Sequence, residues 1–275
     1  MMTNARKSIF ITGGAGGMGL ATARKFVDAG WFVGLFDNDG ARVKSAVASF
    51  NQEQVWATEL DVTDEQAYAR AVAGFGERTG GRMDILFNNA GIAPGGWFDE
   101  MPLSTMRSII DINVWGVIIG TKTALPLLRN APNSLVMSTA SVVATHGHAL
   151  RAVYSASKFA VRGLTEALSL EFERFGIRTA DVLPGCIDTP MLRGSISSRS
   201  DADFDERLFD TFPKEGPFRV MPASAIADAV WNAYQGNTVH WYVPEEVGDI
   251  DRLKGVDYAA ARESTRAFLF DRRKS

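Results

Sequence analysis

Residues 8–37, SIFITGGAGGMGLATARKFVDAGWFVGLFD, decide the fold. They comprise a short β-rich run (8–12), a glycine-rich turn, a helical pattern (20–30) and an apolar strand (31–36) that ends at Asp37. Strand, glycine turn, helix, strand and acid together predict the βαβ unit of a dinucleotide-binding fold. Strands that are apolar throughout, without alternation, indicate a parallel sheet covered by helices on both faces.

The alternation of strands and helices continues along most of the chain. Further strands are predicted at 55–60, 83–87, 134–138, 177–183 and 238–243, and further helices at 41–50, 64–79, 103–129, 153–175 and 223–234. The helix over 103–129 is expected to bend near Pro126. A short amphipathic piece (204–212) and a last helix (258–270) complete the prediction. About seven strands therefore form one α/β fold, a three-layer, doubly wound parallel sheet of the Rossmann type.

The even spacing predicts a single domain, 1–275, with a substrate-lid segment at 190–222 and a C-terminal extension at 244–275. With a net charge of −3 and a pI near 5.7, the chain has no basic field to collect nucleic acid or an anionic membrane. Its single cysteine, Cys186, excludes an intrachain disulfide and a cysteine-based metal cluster. The N-terminus does not resemble a signal peptide, and no wholly apolar run approaches the roughly 18–20 residues that cross a bilayer. We therefore expect a cytoplasmic protein without a metal site.

The glycine turn is the predicted pyrophosphate site. Gly13, Gly17 and Gly19 form T-G-x-x-x-G-x-G from Thr12 onward. Close approach of the backbone to a pyrophosphate requires residues without a Cβ atom, and the following helix offers unpaired N–H groups. A flexible loop is the alternative, which the position between a strand and a helix disfavours.

Asp37 indicates which dinucleotide is bound. An acid at the end of the second strand is placed to bind the ribose diol of an adenosine. It would repel a 2′-phosphate by about 4 kcal/mol for unit charges 4 Å apart at intermediate dielectric. No Lys or Arg occurs in the glycine loop, and Asn38 and Asp39 follow Asp37. The sequence therefore predicts NAD(H) over NADP(H), with Asp39 left to cap the next helix.

The candidate chemistry lies in residues 141–158, SVVATHGHALRAVYSASK. If the residues from about 153 onward are helical, Tyr154 and Lys158 stand one turn apart on one face. An ammonium beside a phenol stabilises the phenolate, which makes the tyrosine a candidate acid and base near neutral pH. Ser141 precedes the tyrosine by thirteen residues. The tyrosine and lysine alone would also suit an ordinary surface helix, so the other motifs decide whether the pair is catalytic.

Taken together, these motifs resemble those of the short-chain dehydrogenase/reductase family, over residues 8–190. The resemblance implies the catalytic residues Asn113, Ser141, Tyr154 and Lys158. It also implies a cofactor site made of Gly13, Gly17, Met18, Gly19, Asp37, Asp61, Val62, Asn89, Ala90, Gly91, Tyr154, Lys158, Pro184, Gly185, Ile187 and Thr189. In this reading Ser141 binds the substrate oxygen, Tyr154 exchanges its proton, and Lys158 lowers the pKa of the tyrosine. Asn113 would connect the lysine to solvent through water.

The substrate pocket is expected from residues 93–98, 142–153 and 190–212. These segments contain bulky apolar side chains that could also be ordinary core, namely Trp97, Phe98, Met191, Leu192, Phe204, Phe209 and Phe212. We therefore expect an apolar secondary alcohol or its ketone as the small-molecule substrate. His146 and His148 lie between Ser141 and Tyr154, where they are either solvated or in contact with substrate.

The C-terminus departs from the family pattern, because residues 244–275 replace the usual short ending. A homodimer or homotetramer is expected, with the apolar residues 268–270 buried in the same subunit or against a neighbour. Two other functions stay open. A carrier-bound 3-oxoacyl reductase would favour NADP and a basic docking patch, and a non-catalytic NAD-sensing module would not need the tyrosine and lysine.

Overall fold

Parallel strands and their flanking helices build the fold in the computed structural model, which describes residues 6–197, 212–260, 262–263 and 266. The strands are β1 Ser8–Thr12, β2 Phe32–Asp37, β3 Val55–Glu59, β4 Ile85–Asn88, β5 Leu135–Thr139, β6 Arg178–Pro184, β7 Cys186–Asp188, β8 Val220–Pro222 and β9 His240–Val243. Seven of them form one parallel sheet in the order β3-β2-β1-β4-β5-β6-β9. The predicted seven-stranded, doubly wound sheet is therefore confirmed. A second, two-stranded sheet joins β7 to β8 and was not predicted.

Helices follow most strands. They are α1 Gly17–Asp28, α2 Gly40–Val47, α3 Glu65–Thr79, α4 Leu103–Ile110, α5 Gly116–Arg129, α6 Ala152–Glu171, α7 Pro190–Ser197, α8 Ser224–Gln235 and α9 Val247–Val256. Asp39 and Asp64 are the N-cap residues of α2 and α3, and each carboxylate accepts hydrogen bonds from two N–H groups of the first turn. The expected capping role of Asp39 is thus confirmed.

The buried side chains show why the fold has three layers. On β1, Ile9 and Ile11 belong to one apolar cluster, which includes residues of α1 and α8. Phe10, between them, belongs to a second cluster with residues of α3 and α5. Successive side chains of a strand point to opposite faces, so a fully apolar strand is buried on both.

The long helix predicted over 103–129 is interrupted, but not where expected. A π-helical turn, Asp111–Trp115, separates α4 from α5, whereas Pro126 lies inside α5. The turn buries Asn113, whose amide bonds to the backbone of Ile92 outside the helix. By length and composition, residues 103–129 would suffice to cross a membrane. In this fold they contain the π turn, and α5 contacts α3 and β4.

The C-terminal region differs from its prediction. Helix α9 was not expected; it is short, its N-cap forms no side-chain hydrogen bond, and it contains Gly248 and Gly255. Residues 258–260, 262–263 and 266 are helical, at the start of the predicted 258–270 helix. The rest of that helix, the apolar residues 268–270 and nearly all of 204–212 lie outside the described residues. The single-domain assignment, with its lid and extension, stays a prediction.

Candidate functional site

A cavity of about 510 Å³ opens at the carboxyl ends of β1 and β4, where the strand order reverses direction. Such a switch point is where open α/β sheets bind ligands. Ten of the predicted cofactor residues line it, namely Gly13, Gly17, Met18, Asp37, Asp61, Val62, Asn89, Ala90, Gly91 and Thr189. These residues lie close together because the parallel sheet brings the loops that follow its strands to one edge, at the carboxyl ends of the strands.

The glycine loop forms the floor of this cavity. Gly13 and Gly17 have φ of +61° and +48°, a region that favours glycine. A Cβ atom on Gly16 would meet no protein atom within 4 Å, so a side chain there would occupy space otherwise left to a ligand. Gly19 has another role, because its Cβ would lie 2.2 Å from the Gly13 oxygen. The cradle therefore fits a pyrophosphate at the start of α1.

Asn89 ties this loop to the centre of the sheet. Its amide nitrogen donates to the carbonyl oxygens of Thr12 and Gly13, at 3.0 and 3.1 Å. The Thr12 hydroxyl in turn accepts from the backbone N–H groups of Asn89 and Ala90. Thr139, at the end of β5, donates to the Asn89 side-chain oxygen. The ends of three strands are thus held in one fixed arrangement.

Asp37 lies at the rim of the cavity. Its two carboxylate oxygens accept hydrogen bonds from the N–H groups of Ala15 and Asp39, both at 3.2 Å. The carboxylate is therefore fixed beside the glycine loop while retaining further acceptor capacity. Arg42 also lines the cavity and pairs with Asp39 at 3.2 Å. The sequence prediction overlooked this cation.

Asn113 lies in the π turn and joins two parts of the site. Its oxygen accepts from the Ile92 N–H at 2.9 Å, and its nitrogen donates to the Ile92 carbonyl at 2.9 Å and the Ser157 hydroxyl at 3.1 Å. Ser157 then donates to the carbonyl of Tyr154. Asn113 therefore connects the loop after β4 to the first turns of α6.

The structure brings Ser141, Tyr154 and Lys158 together, although none of them lines the cavity itself. The Ser141 side chain acts on the Tyr154 phenol and lowers its pKa. Lys158 follows one turn later on α6 and is almost completely buried. Its ammonium donates to the Thr139 carbonyl at 2.7 Å and lies 5.7 Å from the centre of the Tyr154 ring. A Cβ on Gly91, which does line the cavity, would lie 3.6 Å from this ammonium.

The electrostatics of the triad differ from the sequence expectation. Burial raises the pKa of Tyr154, and this outweighs the lowering by the Ser141 hydrogen bond and the charge of Arg151. Burial also lowers the pKa of Lys158 to about 8. In this structure the tyrosine is therefore protonated at neutral pH, whereas the sequence led us to expect a net depression by Lys158.

The segment after β6 supplies the far side of the site. The Gly185 N–H donates to the Val243 carbonyl at 2.7 Å, and a Cβ on Gly185 would lie 2.8 Å from the Pro217 oxygen. Ile187 is buried in β7. Thr189 donates to the Ile187 carbonyl and accepts from the Leu192 N–H, so its hydroxyl caps α7. Of the predicted cofactor residues in this segment, only Thr189 reaches the cavity.

The two histidines of the loop contact each other. His146 is buried, its Nδ1 lies 2.7 Å from the Thr145 hydroxyl, and its Nε2 lies 2.7 Å from Nε2 of His148. Burial lowers the pKa of His146 to about 4; Lys254 lowers it further and Asp251 raises it. His146 is therefore neutral near pH 7, and both of its ring nitrogens have partners inside the protein.

Arg151 is a site residue that sequence reasoning missed. It directly precedes α6, its guanidinium donates to the Ala93 carbonyl, and a Cβ on Gly95 would lie 3.2 Å from its Cζ. Its charge acts on Tyr154, three residues later. The available signal was a basic residue one helical turn before the candidate acid. The loop over residues 93–96 is thus joined to the wall of the site.

The expected pocket segments also present apolar surface. The side chains of Trp97, Phe98 and Met191 are 47%, 64% and 45% exposed, so they are not ordinary core residues. Phe204 and Phe209 lie outside the described residues. Within the described part of the chain, no group of three or more His, Cys, Asp or Glu side chains is arranged to hold a metal ion.

Comparison with known proteins agrees with this architecture. The meso-2,3-butanediol dehydrogenase of Serratia marcescens is 35% identical over 202 residues, which cover 74% of this chain and 79% of that protein. The levodione reductase of Leifsonia aquatica is 33% identical over 193 residues, covering 68% and 72%. A crystal structure of levodione reductase has a TM-score of 0.78 and 28% identity, covering 86% of this chain and 95% of the other. Residues 7–200 match the family model described as short chain dehydrogenase, and the chain therefore belongs to that family of oxidoreductases.

Proposed function

We propose that the protein is an NAD(H)-dependent oxidoreductase that interconverts a secondary alcohol and its ketone. Family membership and the alcohol and ketone chemistry named for its relatives support the reaction class. The observation that carries the residue assignment is the position of buried Lys158, one turn after Tyr154 on α6 with its ammonium 5.7 Å from the centre of the Tyr154 ring, on which Ser141 also acts. A non-catalytic module would have no need of all three groups together, next to Gly91 of the cavity lining.

The residues around the cavity fit a nicotinamide adenine dinucleotide. The loop at Gly13–Gly17 would hold the pyrophosphate, Asp37 the adenosine ribose, and Asp61 and Val62 the adenine. Ile187 and Thr189 would hold the carboxamide. When bound, the nicotinamide supplies the hydride acceptor or donor of the reaction.

The protein's own part in the chemistry is to hold and move one proton. In reduction, the protonated phenol of Tyr154 donates to the ketone oxygen; in oxidation, its phenolate accepts the alcohol proton. The Ser141 side chain is close enough to the Tyr154 phenol to lower its pKa, so one substrate oxygen can contact both hydroxyl groups. The Lys158 charge stabilises the phenolate, and Asn113 holds the first turns of α6 in place.

For the substrate, we propose a molecule with a largely apolar body. The exposed side chains of Trp97, Phe98 and Met191 offer it an apolar surface. The guanidinium of Arg151 adds a positive charge near the Tyr154 phenol, and the sequence did not lead us to expect this charge. Meso-2,3-butanediol and levodione, named for two relatives, are therefore the first compounds to test.

The test is a panel of secondary alcohols with NAD⁺, followed by absorbance of the reduced cofactor. Tyr154→Phe should lower turnover by more than about a hundredfold, because the group that accepts the alcohol proton is lost, while leaving NAD⁺ binding nearly intact. Tyr258→Phe, an exposed tyrosine near the C-terminus, is the matched control and should change neither. Substantial residual turnover in Tyr154→Phe would refute the assigned acid and base.

We also propose a homodimer or homotetramer in the cytoplasm. Leu103, Trp115 and Leu170 are more than half exposed, and such side chains are common where copies of a chain associate. A single cysteine in the sequence, which allows no disulfide within the chain, suits a reducing compartment. Light scattering at micromolar concentration measures the mass directly, and a monomer would contradict the first of these two proposals.

A further inference from the structure

Helix α9, in the extension that departs from the family pattern, is attached to α6 by a polar junction of Arg162, Tyr242 and Asp251. The Asp251 carboxylate accepts from Nη1 and Nη2 of Arg162, at 2.8 and 2.7 Å. The Tyr242 hydroxyl donates to the same carboxylate at 2.7 Å. We call these three residues the α9 junction. It links α6, β9 and α9 at one point.

The junction is sheltered and geometrically specific. The Arg162 and Asp251 side chains are only 16% and 18% exposed, and a two-pronged guanidinium–carboxylate pair is directional. Burial raises the pKa of Asp251, but hydrogen bonds from Arg162 and Tyr242 outweigh it and hold the pKa below its usual value. A sheltered pair of this kind fixes orientation better than an exposed ion pair does.

Arg162 also reaches the turn that carries Ser141. Its Nη1 donates to the Ala144 carbonyl at 3.3 Å. Ala144 ends a 3₁₀ turn, Val142–Ala144, whose N-cap is Ser141. The Ser141 oxygens accept from the N–H groups of Val143 and Ala144. The guanidinium thus holds one end of a single turn, and the candidate catalytic hydroxyl occupies the other.

Apolar contacts follow the same path. Val247 and Ile250 of α9 belong to one buried cluster with Val142 and Val143 of the turn. Tyr154 packs against that cluster. Helix α9 is therefore linked to the Ser141 turn by a shared apolar cluster and, through Arg162, by a polar path.

From these contacts we propose that Asp251 is a positioning residue, which acts through Arg162 to hold the Ser141 turn and so makes the C-terminal extension part of the catalytic site. The inference rests on the proposed function for the roles of Ser141 and Tyr154. It adds that activity depends on a helix outside the segment that matches the family model, residues 7–200.

The proposal predicts two measurable effects of a loosened turn. The N–H groups of Val143, Ala144 and Thr145, which bond within the turn, should exchange with solvent faster. The hydrogen bond from Ser141 lowers the pKa of Tyr154, so weakening it should raise that pKa. Alcohol oxidation needs the phenolate, and the acidic limb of its pH profile should then move to higher pH.

Asp251→Asn is the test, because it removes the charge with little change of shape. Asp249→Asn is the matched control, since Asp249 lies on the same helix in an exposed pair with Arg252. Hydrogen–deuterium exchange of residues 143–145 should be about fivefold faster in Asp251→Asn only, as expected from one weakened hydrogen bond. With the best alcohol of the panel, kcat should fall about fivefold at an unchanged KM for NAD⁺, and Asp251→Glu should recover part of it.

Unchanged exchange at 143–145 and an unchanged kcat in folded Asp251→Asn would overturn the proposal. Faster exchange that extends equally to β4 would do the same, because it would report general destabilisation. If Asp251→Asn does not fold, Tyr242→Phe is measured in its place, because it removes one hydrogen bond to Asp251 while keeping the ring. Unchanged exchange of residues 143–145 in that variant would then overturn the proposal. Exchange needs no substrate, so it tests the positioning separately; failure of the proposed function would instead appear as wild-type turnover that does not depend on Tyr154.

Discussion

Replacing the Asp37 carboxylate with a carboxamide should shift the cofactor preference from NAD⁺ toward NADP⁺. The carboxylate lines the cavity and accepts hydrogen bonds from Ala15 and Asp39 at 3.2 Å. Asp37→Asn keeps the shape and one acceptor oxygen, so the glycine loop retains a partner. The substitution therefore removes the charge together with one of the two acceptors.

The size of the shift follows from the position of the carboxylate. Two unit charges 4 Å apart repel by about 4 kcal/mol at an effective dielectric near 20. Asp37 is partly exposed, and solvent and salt reduce this to about 2 kcal/mol. A difference of 2 kcal/mol corresponds to about thirtyfold in the ratio of kcat/KM for the two cofactors. Arg42 also lines the cavity and gives a 2′-phosphate a cation once the carboxylate is gone.

The assay measures kcat/KM for NAD⁺ and NADP⁺ at one fixed alcohol concentration, together with fluorescence titrations of NADH and NADPH. Asp64→Asn is the control, because it removes the same charge from a helix cap outside the lining of the cavity and should leave the ratio unchanged. An unchanged ratio in Asp37→Asn would refute the repulsion argument. A loss of binding for both cofactors alike would show instead that the hydrogen bonds to the loop dominate.

Two further predictions concern the pH profile and the glycine loop. Arg151→Gln removes a charge that lowers the pKa of Tyr154, so the acidic limb of the pH profile of alcohol oxidation should move to higher pH. The control Arg174→Gln should leave that limb in place, and identical profiles of the two variants would contradict the role of Arg151. Gly19→Ala places a Cβ 2.2 Å from a backbone oxygen of the loop and should cost about 1–3 kcal/mol in denaturant unfolding and weaken NAD⁺ binding. Gly163→Ala, in α6 with no atom within 4 Å of its Cβ, should be neutral or stabilising, and equal effects of the two would exclude the close contact as the cause.

The sheet and the cavity were predictable because both depend on local patterns. Apolar runs of five or six residues marked the strands, and a parallel sheet then places the loops after β1 and β4 at one edge. Asn89 itself was assigned to the site of Gly13 through its resemblance to a family motif, and this sheet order brings the two together. Gly16 was missed, since a glycine within a glycine-rich turn carries no separate signal of its own.

Features that depend on contacts between distant residues were not predictable. The break in the 103–129 helix was assigned to Pro126, because proline is the only local signal for a bend. Its actual position reflects Asn113, which bonds to Ile92 some twenty residues earlier in the chain. Helix α9 was missed for a similar reason, since its position depends on Asp251 meeting Arg162 and Tyr242.

The direction of the Tyr154 pKa shift shows why spacing alone was insufficient. A tyrosine and a lysine four residues apart predict a lowered phenol pKa, because an ammonium stabilises a phenolate. Here both groups are buried. Burial raises the pKa of Tyr154 and lowers that of Lys158, so it disfavours the charged form of each residue. The groups that lower the Tyr154 pKa are Ser141 and Arg151, and each belongs to a segment held in place by other loops and helices. The direction of this shift is therefore set first by burial, against which Ser141 and Arg151 act, and the spacing of the Y-x-x-x-K motif does not reveal it.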